Sequence, residues 1–402
     1  MRAVIQPGSA RGTVAAPPSK SMAHRLLICA ALTEGETVIR GVDRSEDILA
    51  TMDCLSALGA SLSWEENAVR VQGVDPRRSA PAVLRCRESG STLRFMIPLC
   101  LVSGSSMRLE GSETLLSRPL SVYEDLCRAQ RLTLTREEGG LGVQGRLTPG
   151  EYSVPGNISS QFVSGLLFAL PLLPEDSVIR LIPPVESRSY LNLTLQALNS
   201  AGIPAVWADE TVLAVPGNAV YRMPDTEVEG DYSNAAFFEA LNCAGGCVTV
   251  TGLRTESLQG DRVYQEYFRL LRSGPAELDV TDCPDLAPVL FAVAALCHGA
   301  GFTGVRRLRF KESDRGAVMA QEMAKFGIHL EMREDRIVVP AGNLSTPEEP
   351  LDSHNDHRIA MALSVLCTRT GGEIRCAEAV RKSFPDYWER LRSLGIDISI
   401  HD

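Results

Sequence analysis

Only four of the 40 basic residues in this 402-residue chain are lysines, and three of the four stand in short polar motifs. They are Lys20 in Pro-Pro-Ser-Lys-Ser, Lys311 in Lys-Glu-Ser-Asp-Arg and Lys382 in Arg-Lys-Ser-Phe-Pro-Asp-Tyr. A chain that uses arginine for nearly every solvated cation, yet keeps lysine at such places, points to sites needing a compact ammonium whose proton can leave. For any one lysine, chance survival in an arginine-rich chain stands open beside this account. Arginines keep similar company: Arg25, Arg94, Arg315 and Arg358 lie on or near expected helix starts, and Arg118 precedes Pro119. Arginine suits bidentate capture of carboxylate or phosphate, whereas lysine suits a point charge or proton transfer. Two acids complete the set, Glu312 between Lys311 and Arg315, and Asp285 after Pro284. Carboxylates among cations or near a helix dipole are where acid and base roles are tuned. A salt-bridged helix start is an equal account of either on local sequence alone.

The elements that must position these groups are turns of small polar residues that run straight into apolar helices. Residues 17–21 precede Met22 to Leu32, 88–92 precede Leu93 to Val102, and 156–161 precede Phe162 to Leu170. Residues 230–234, 282–285, 311–314 and 354–356 play the same part later. Free backbone N–H groups and the positive end of the helix dipole make such starts seats for phosphate or carboxylate. Ordinary N-capping accounts for each turn alone. Capping needs no positive charge, however, and the cations ride on these same turns.

A repeat sets the larger frame: a helical apolar stripe, a glycine, then two short strands. It reads Leu55 to Leu62 with Val69 to Gly73, Leu198 to Ala205 with Val212 to Gly217, and Met323 to Leu330 with Ile337 to Gly342. Weaker copies surround Gln130 and Gly274, and a half-copy at Leu394-Gly395-Ile396 ends the chain. Each glycine fits the left-handed position that stops a helix, and the alternating residues after it fit a half-buried strand. Six units grouped three and three predict an α/β protein of two domains, with a polar joint at Met223 to Gly230. Two unrelated domains with similar helix endings remain the alternative.

Composition narrows the function. An apolar share of 44% with 22% charged residues predicts a globular protein, and a net charge of −10 disfavours nucleic-acid and anionic-membrane partners. The eleven cysteines are scattered through apolar stretches and read as reduced thiols; Cys243 and Cys247 match a metal half-site only loosely. No apolar signal core opens the chain and the longest apolar runs are too short or broken to span a bilayer, so a cytoplasmic location is expected.

Eight motifs in order give the chain a close resemblance to the 3-phosphoshikimate 1-carboxyvinyltransferase family, the 5-enolpyruvylshikimate-3-phosphate (EPSP) synthases. They are Pro18-Ser-Lys-Ser-Met-Ala-His-Arg25, Ser89-Gly-Ser-Thr-Leu-Arg94, Ser117-Arg-Pro119, Ile158-Ser-Ser-Gln-Phe162, Glu229-Gly-Asp-Tyr-Ser233, Lys311-Glu-Ser-Asp-Arg315, Asn355-Asp-His-Arg358 and Lys382-Ser-Phe-Pro-Asp386. The resemblance implies the enolpyruvyl transferase fold, two domains each of three βαβαββ units. Residues 18–227 would bind shikimate 3-phosphate; 1–17 with 228–402 would bind phosphoenolpyruvate and carry catalysis. In the family the cleft between the domains closes when shikimate 3-phosphate binds.

Carried over by position, Lys20, Ser21, Arg25, Ser159, Ser160, Gln161, Ser187, Tyr190, Asp285 and Lys311 would hold shikimate 3-phosphate. Lys20, Gly90, Arg118, Arg315, Arg358 and Lys382 would hold phosphoenolpyruvate. The implied reaction moves the enolpyruvyl group to the 5-hydroxyl of shikimate 3-phosphate and releases phosphate. Glu312 would protonate the methylene carbon and Asp285 would act as base near the 5-hydroxyl, with Lys20 and Lys382 as charge partners. No metal or organic cofactor is expected, and a monomer is. One departure stands out: Arg307, four residues before Lys311, occupies a place where the family often has Asn, and it is left out of the site. The rivals are UDP-N-acetylglucosamine enolpyruvyl transferase, whose early lysine is followed by Asn rather than by a residue like Ser21, an RNA-end-processing enzyme of similar repeats, and a non-catalytic anion-binding protein.

Overall fold

The computed structural model describes all of residues 1–402. The chain forms two compact units, Pro18–Glu229, and Met1–Pro17 with Gly230–Asp402. Each has a hydrophobic core of its own. The Pro18–Glu229 unit carries helices α1 (Lys20–Ala31), α2 (Glu46–Ala57), α3 (Gly90–Ser103), α4 (Glu113–Ser117), α5 (Ser121–Gln130), α6 (Ser160–Ala169) and α7 (Arg188–Ser200). The other carries α8 (Tyr232–Ala240), α9 (Tyr264–Ser273), α10 (Ala287–Leu296), α11 (Arg315–Ala324), α12 (His357–Thr370) and α13 (Tyr387–Ser393).

The expected repeat is visible in the strand order. In one copy, Ala82–Arg85 pairs in parallel with Met107–Glu110 across α3, and the hairpin Thr133–Glu137/Gly140–Gln144 adds antiparallel through its second strand. The copy built on Glu151–Pro155, Ser177–Ile182 and Val212–Val215 has the same order, as does the one built on Ala276–Asp279, Ala300–Thr303 and Arg336–Val339. Two further sheets close with distant segments. Thr226–Glu227 pairs with Ile39 and Arg40, and the N-terminal strand Arg2–Ile5 lies between Gly372–Arg375 and Ile398–His401. The sixth sheet is shorter, with Arg11–Ala15 parallel to Cys247–Thr251 alone.

The joint between the units falls at 229/230 rather than at the expected 227/228. The pairing of Thr226–Glu227 holds the chain in the first unit. Val228 is buried in that unit's core, and the Glu229 carbonyl accepts from Ser19 N at 2.8 Å.

Inner helices are apolar all round, which marks them as core rather than surface elements; α10 reads Ala-Pro-Val-Leu-Phe-Ala-Val-Ala-Ala-Leu. Close packing also sets the site. Pro98 inside α3 has no N–H to offer the Arg94 carbonyl four residues back. The buried Tyr123 hydroxyl donates to that carbonyl instead, at 2.8 Å. Opposite it, a side chain at Gly165 of α6 would collide with Tyr123 Oη and the Arg94 carbonyl, so only glycine lets α6 approach α3 this closely.

Candidate active site

In the Pro18–Glu229 unit most of the singled-out side chains lie at or near helix amino ends, while Arg118 follows α4 at its carboxyl end. Ser19 caps α1, its Oγ accepting from Met22 N at 3.4 Å. Lys20 thus opens the helix, and its Nζ donates to Asp47 Oδ2 of α2 at 2.6 Å, with side chains only 13% and 10% exposed. Sequence reasoning passes over Asp47, because an acid in a first helical turn is what the dipole favours anyway. Arg25 is buried and spends Nε on Thr194 Oγ1 (2.8 Å), Nη1 on the Ser21 carbonyl (2.6 Å) and Nη2 on the Tyr190 carbonyl (3.0 Å). Burial lowers its pKa to about 10, so it stays charged at neutral pH. Burial, then Lys20 and Arg25, hold His24 well below its ordinary value, leaving it neutral. Its Nδ1 lies 2.8 Å from Thr51 Oγ1, from which hydroxyl contacts of 2.7 Å run through Thr92 to Ser89 and tie α1, α2 and α3 together.

A second group forms where α3 meets α6. Arg94 Nη1 donates to Gln161 Oε1 at 2.6 Å, and Gln161 Nε2 to Ser91 Oγ at 2.9 Å. Arg94 stacks 5.1 Å from the centroid of Phe162. Gly90 begins α3 beside the guanidiniums of Arg118 and Arg94. Ser159 caps α6 and Ser160 is its buried first residue. Ser187 precedes α7 at φ +54°, a left-handed conformation uncommon for a residue with a side chain. Backbone strain of this kind persists where a site requires it.

The other unit holds a denser cluster, with Asp285 at its centre. Its Oδ1 accepts from Arg315 Nη1 at 2.7 Å and pairs with Lys311 Nζ at 3.0 Å, while Oδ2 accepts from Arg358 Nη2 at 3.1 Å. Burial works against the charge of Asp285, but Arg358, Lys311 and Arg315 overcome it and hold the carboxyl well below the usual range. Arg315 is 1% exposed, and its other nitrogens serve Glu312 Oε2 (2.7 Å) and Asp356 Oδ2 (2.9 Å). Burial opposes its charge while Asp356, Glu312 and Asp285 push its pKa higher still. Arg358 Nη1 donates to Ser233 Oγ at 2.5 Å. Burial lowers Lys311; Asp285 opposes that, and Arg315 and Arg307 add to it. Arg307, set aside in the sequence, is therefore a buried electrostatic neighbour of Lys311. Lys382 Nζ donates to the Asn355 carbonyl at 2.6 Å.

Ordinary capping holds here too: Asp231, Asp314 and Asp356 accept backbone N–H groups at 2.8, 3.2 and 2.9 Å. What capping leaves unexplained is the presence of buried cations beside these starts. Asp47, Ser233, Asp261 and Asp356 join the sites without having been singled out; Ser233 and Asp356 lie inside quoted motifs, which was the available signal. Chemically, each face can hold a polyanion, and the second also offers Asp285, a carboxylate held in its ionised form.

The repeated βαβαββ units with cations at their helix starts are of the kind found in the enolpyruvyl transferase class. Solved structures of EPSP synthase from Acinetobacter baumannii share this fold, with TM-scores of 0.80 and 0.81 at 24% and 22% identity, covering 99–100% of this chain and all of theirs. The EPSP synthase (3-phosphoshikimate 1-carboxyvinyltransferase) family model matches residues 4–391. The 3-phosphoshikimate 1-carboxyvinyltransferase of Clostridium kluyveri is 38% identical over 98% of this chain and 97% of its own length, and that of Clostridioides difficile 35% over 97% of each. The chain belongs to the EPSP synthase family.

Proposed function

We propose that the two clusters serve the reaction of this family, in which the enolpyruvyl group of phosphoenolpyruvate moves to the 5-hydroxyl of shikimate 3-phosphate and phosphate leaves. The reaction belongs to the shikimate pathway of aromatic biosynthesis. The observation that carries the reading is Asp285, one carboxylate on which Lys311, Arg315 and Arg358 converge. Three cations at one point form a ready receiver for an incoming phosphate or carboxylate.

Shikimate 3-phosphate takes Lys20, Ser21, Arg25, Ser159, Ser160, Gln161, Ser187 and Tyr190 of the Pro18–Glu229 unit, with Asp285 and Lys311 of the other. Phosphoenolpyruvate takes Lys20, Gly90 and Arg118, with Arg315, Arg358 and Lys382. Arg315 acts chiefly through charge, since its nitrogens already serve carboxylates. Glu312 protonates the methylene carbon, making C2 electron-poor; the 5-hydroxyl adds there while Asp285 accepts its proton. Loss of phosphate and of a proton from the methyl carbon then restores the double bond. Asp285 has the protonation state a base needs, because its cations keep it ionised. The reading involves no metal or organic cofactor, and takes the protein to be a cytoplasmic monomer without nucleic-acid or membrane partners. No helix is long and apolar enough to cross a membrane, and the net charge of −10 disfavours polyanionic partners.

Phosphate release from the purified protein with both substrates tests the reading. Release that requires shikimate 3-phosphate is expected; release that requires UDP-N-acetylglucosamine instead would overturn it.

A further inference from the structure

The fourth lysine lies in none of the quoted motifs, yet it is part of a buried network. Lys325 Nζ donates to Glu322 Oε2 at 2.7 Å and to the Pro350 carbonyl at 3.0 Å. Glu322 is 0% exposed. Its Oε2 also accepts from Asp352 N at 2.9 Å, and its Oε1 lies 3.1 Å from His354 Nε2. A carboxylate this deep persists only if its lone pairs are taken up. Two of the three groups that do so stand at the entry to α12: the amide of Asp352, which ends the strand Leu351–Asp352, and the His354 imidazole in the short connection that follows.

That connection has an unusual shape. His354 and Asn355 follow each other at φ +50° and +57°, two successive left-handed residues, a conformation uncommon for residues with a side chain although His and Asn take it more readily than most. The turn sends the Asn355 carbonyl to Lys382 Nζ. It also brings Asp356 to the start of α12, where it accepts from Arg358 N and from Arg315 Nε, each at 2.9 Å. Arg315 and Glu322 are seven residues apart on α11, two turns along one face. One helix face therefore holds both ends of the connection, Arg315 at Asp356 and Glu322 at Asp352 and His354.

We infer that Glu322 is a positioning residue for phosphoenolpyruvate: it fixes the left-handed turn from which Lys382 and Arg358 take their places. This rests on the proposal that Lys382 and Arg358 hold that substrate. Nothing in it requires Glu322 to touch a reacting atom.

Steady-state kinetics with each substrate varied, together with amide hydrogen exchange, on full-length Glu322→Gln, His354→Asn and Lys382→Met proteins tests the inference. Glu322→Gln keeps an acceptor for Asp352 N but drops the charge facing Lys325 and His354. It is expected to raise KM for phosphoenolpyruvate about tenfold, with kcat and KM for shikimate 3-phosphate within about twofold. Amide exchange should quicken at residues 352–356 and stay unchanged in the strands Ala300–Thr303 and Arg336–Val339. His354→Asn tolerates the left-handed backbone and removes the same contact from the other side. It should give the same pattern at about threefold, and it decides the matter if Glu322→Gln does not fold. If Lys382→Met raises KM for phosphoenolpyruvate but the folded Glu322 or His354 variant does not, the inference is overturned and the substrate assignment stands. If Lys382→Met also leaves KM unchanged, the substrate assignment falls and the inference with it. Equal rises in both KM values with faster exchange throughout the unit would reduce Glu322 to a structural residue and overturn the inference as well.

Discussion

A methyl group placed on Gly90 would lie 2.7 Å from Nη1 of Arg118 and 3.3 Å from Nη1 of Arg94. The first distance is too short for any real contact, yet the atom that must yield is the far end of a flexible side chain. Gly90→Ala should therefore fold, with stability changed by less than about 1 kcal/mol, and move the Arg118 guanidinium instead. If Arg118 holds phosphoenolpyruvate, KM for that substrate rises about tenfold or more while KM for shikimate 3-phosphate stays within about twofold. Titration of each substrate separately decides it. Equal losses for both would remove Arg118 from a role confined to phosphoenolpyruvate.

The pair Lys20–Asp47 behaves differently, because Lys20 is assigned to both substrates. At 2.6 Å and largely shielded from water, Asp47 fixes the ammonium as well as balancing it. Asp47→Ala leaves a shielded cation without that partner, a loss of about 1–3 kcal/mol visible in thermal melts. In the folded variant, kcat/KM should fall for both substrates together. A fall for one alone would assign Lys20 to that substrate.

Local periodicity made the repeat legible, and the reasons it worked also mark where it stopped. Gly59, Gly202 and Gly327 take positive φ as helix stops, as their spacing predicts, and Arg131 fills the same left-handed role in the weaker copy near Gln130. Gly274 does not: its φ of 164° is extended, because the strand after it, Ala276–Asp279, opens the next unit rather than closing its own hairpin. Nor could pattern predict that Arg2–Ile5 completes a sheet with residues 372–375 and 398–401, since period gives a strand's face and not its partner. The cations of the site were legible from motif and residue type. Their buried counter-charges, Asp47 and Asp261 above all, were not, because an acid near a helix start is ordinary until the fold shows which cation it faces.

Asp261 supplies a pH signature. Burial, then the negative charges of Asp285 and Asp231, raise its pKa to about 7 from an ordinary 3.8, against the pull of Arg358 and the Ser233 hydroxyl. Between those two values the folded protein keeps a proton that the unfolded chain has lost. Stability therefore falls as pH rises from about 4 to about 7, by up to about 1.4 kcal/mol per pH unit, and levels off above. Asp285, with its depressed value, contributes in the opposite sense and only at more acid pH, its stabilisation being lost as pH falls below the ordinary carboxyl range. In melts across pH 4.5–8, Asp261→Asn should gain on the parent protein up to about pH 7 and then run parallel. Curves parallel throughout would show that Asp261 carries no proton in this window.

Glu312 faces the hardest chemical demand, since it must hold a proton when carbon is protonated, while its 2.7 Å contact with Arg315 favours the carboxylate. A phosphate or carboxylate that draws on Arg315 relieves that preference, so the proton is best held when substrate is present. Glu312→Gln keeps an oxygen for Arg315 and the shape of the side chain, but has no acidic proton. Turnover should fall by about 10²-fold or more, with both KM values changed by no more than about threefold. Single-turnover measurement of phosphate release separates chemistry from product release. A turnover number within about twofold of the parent would exclude Glu312 as the acid and leave its carboxylate as a charge partner of Arg315.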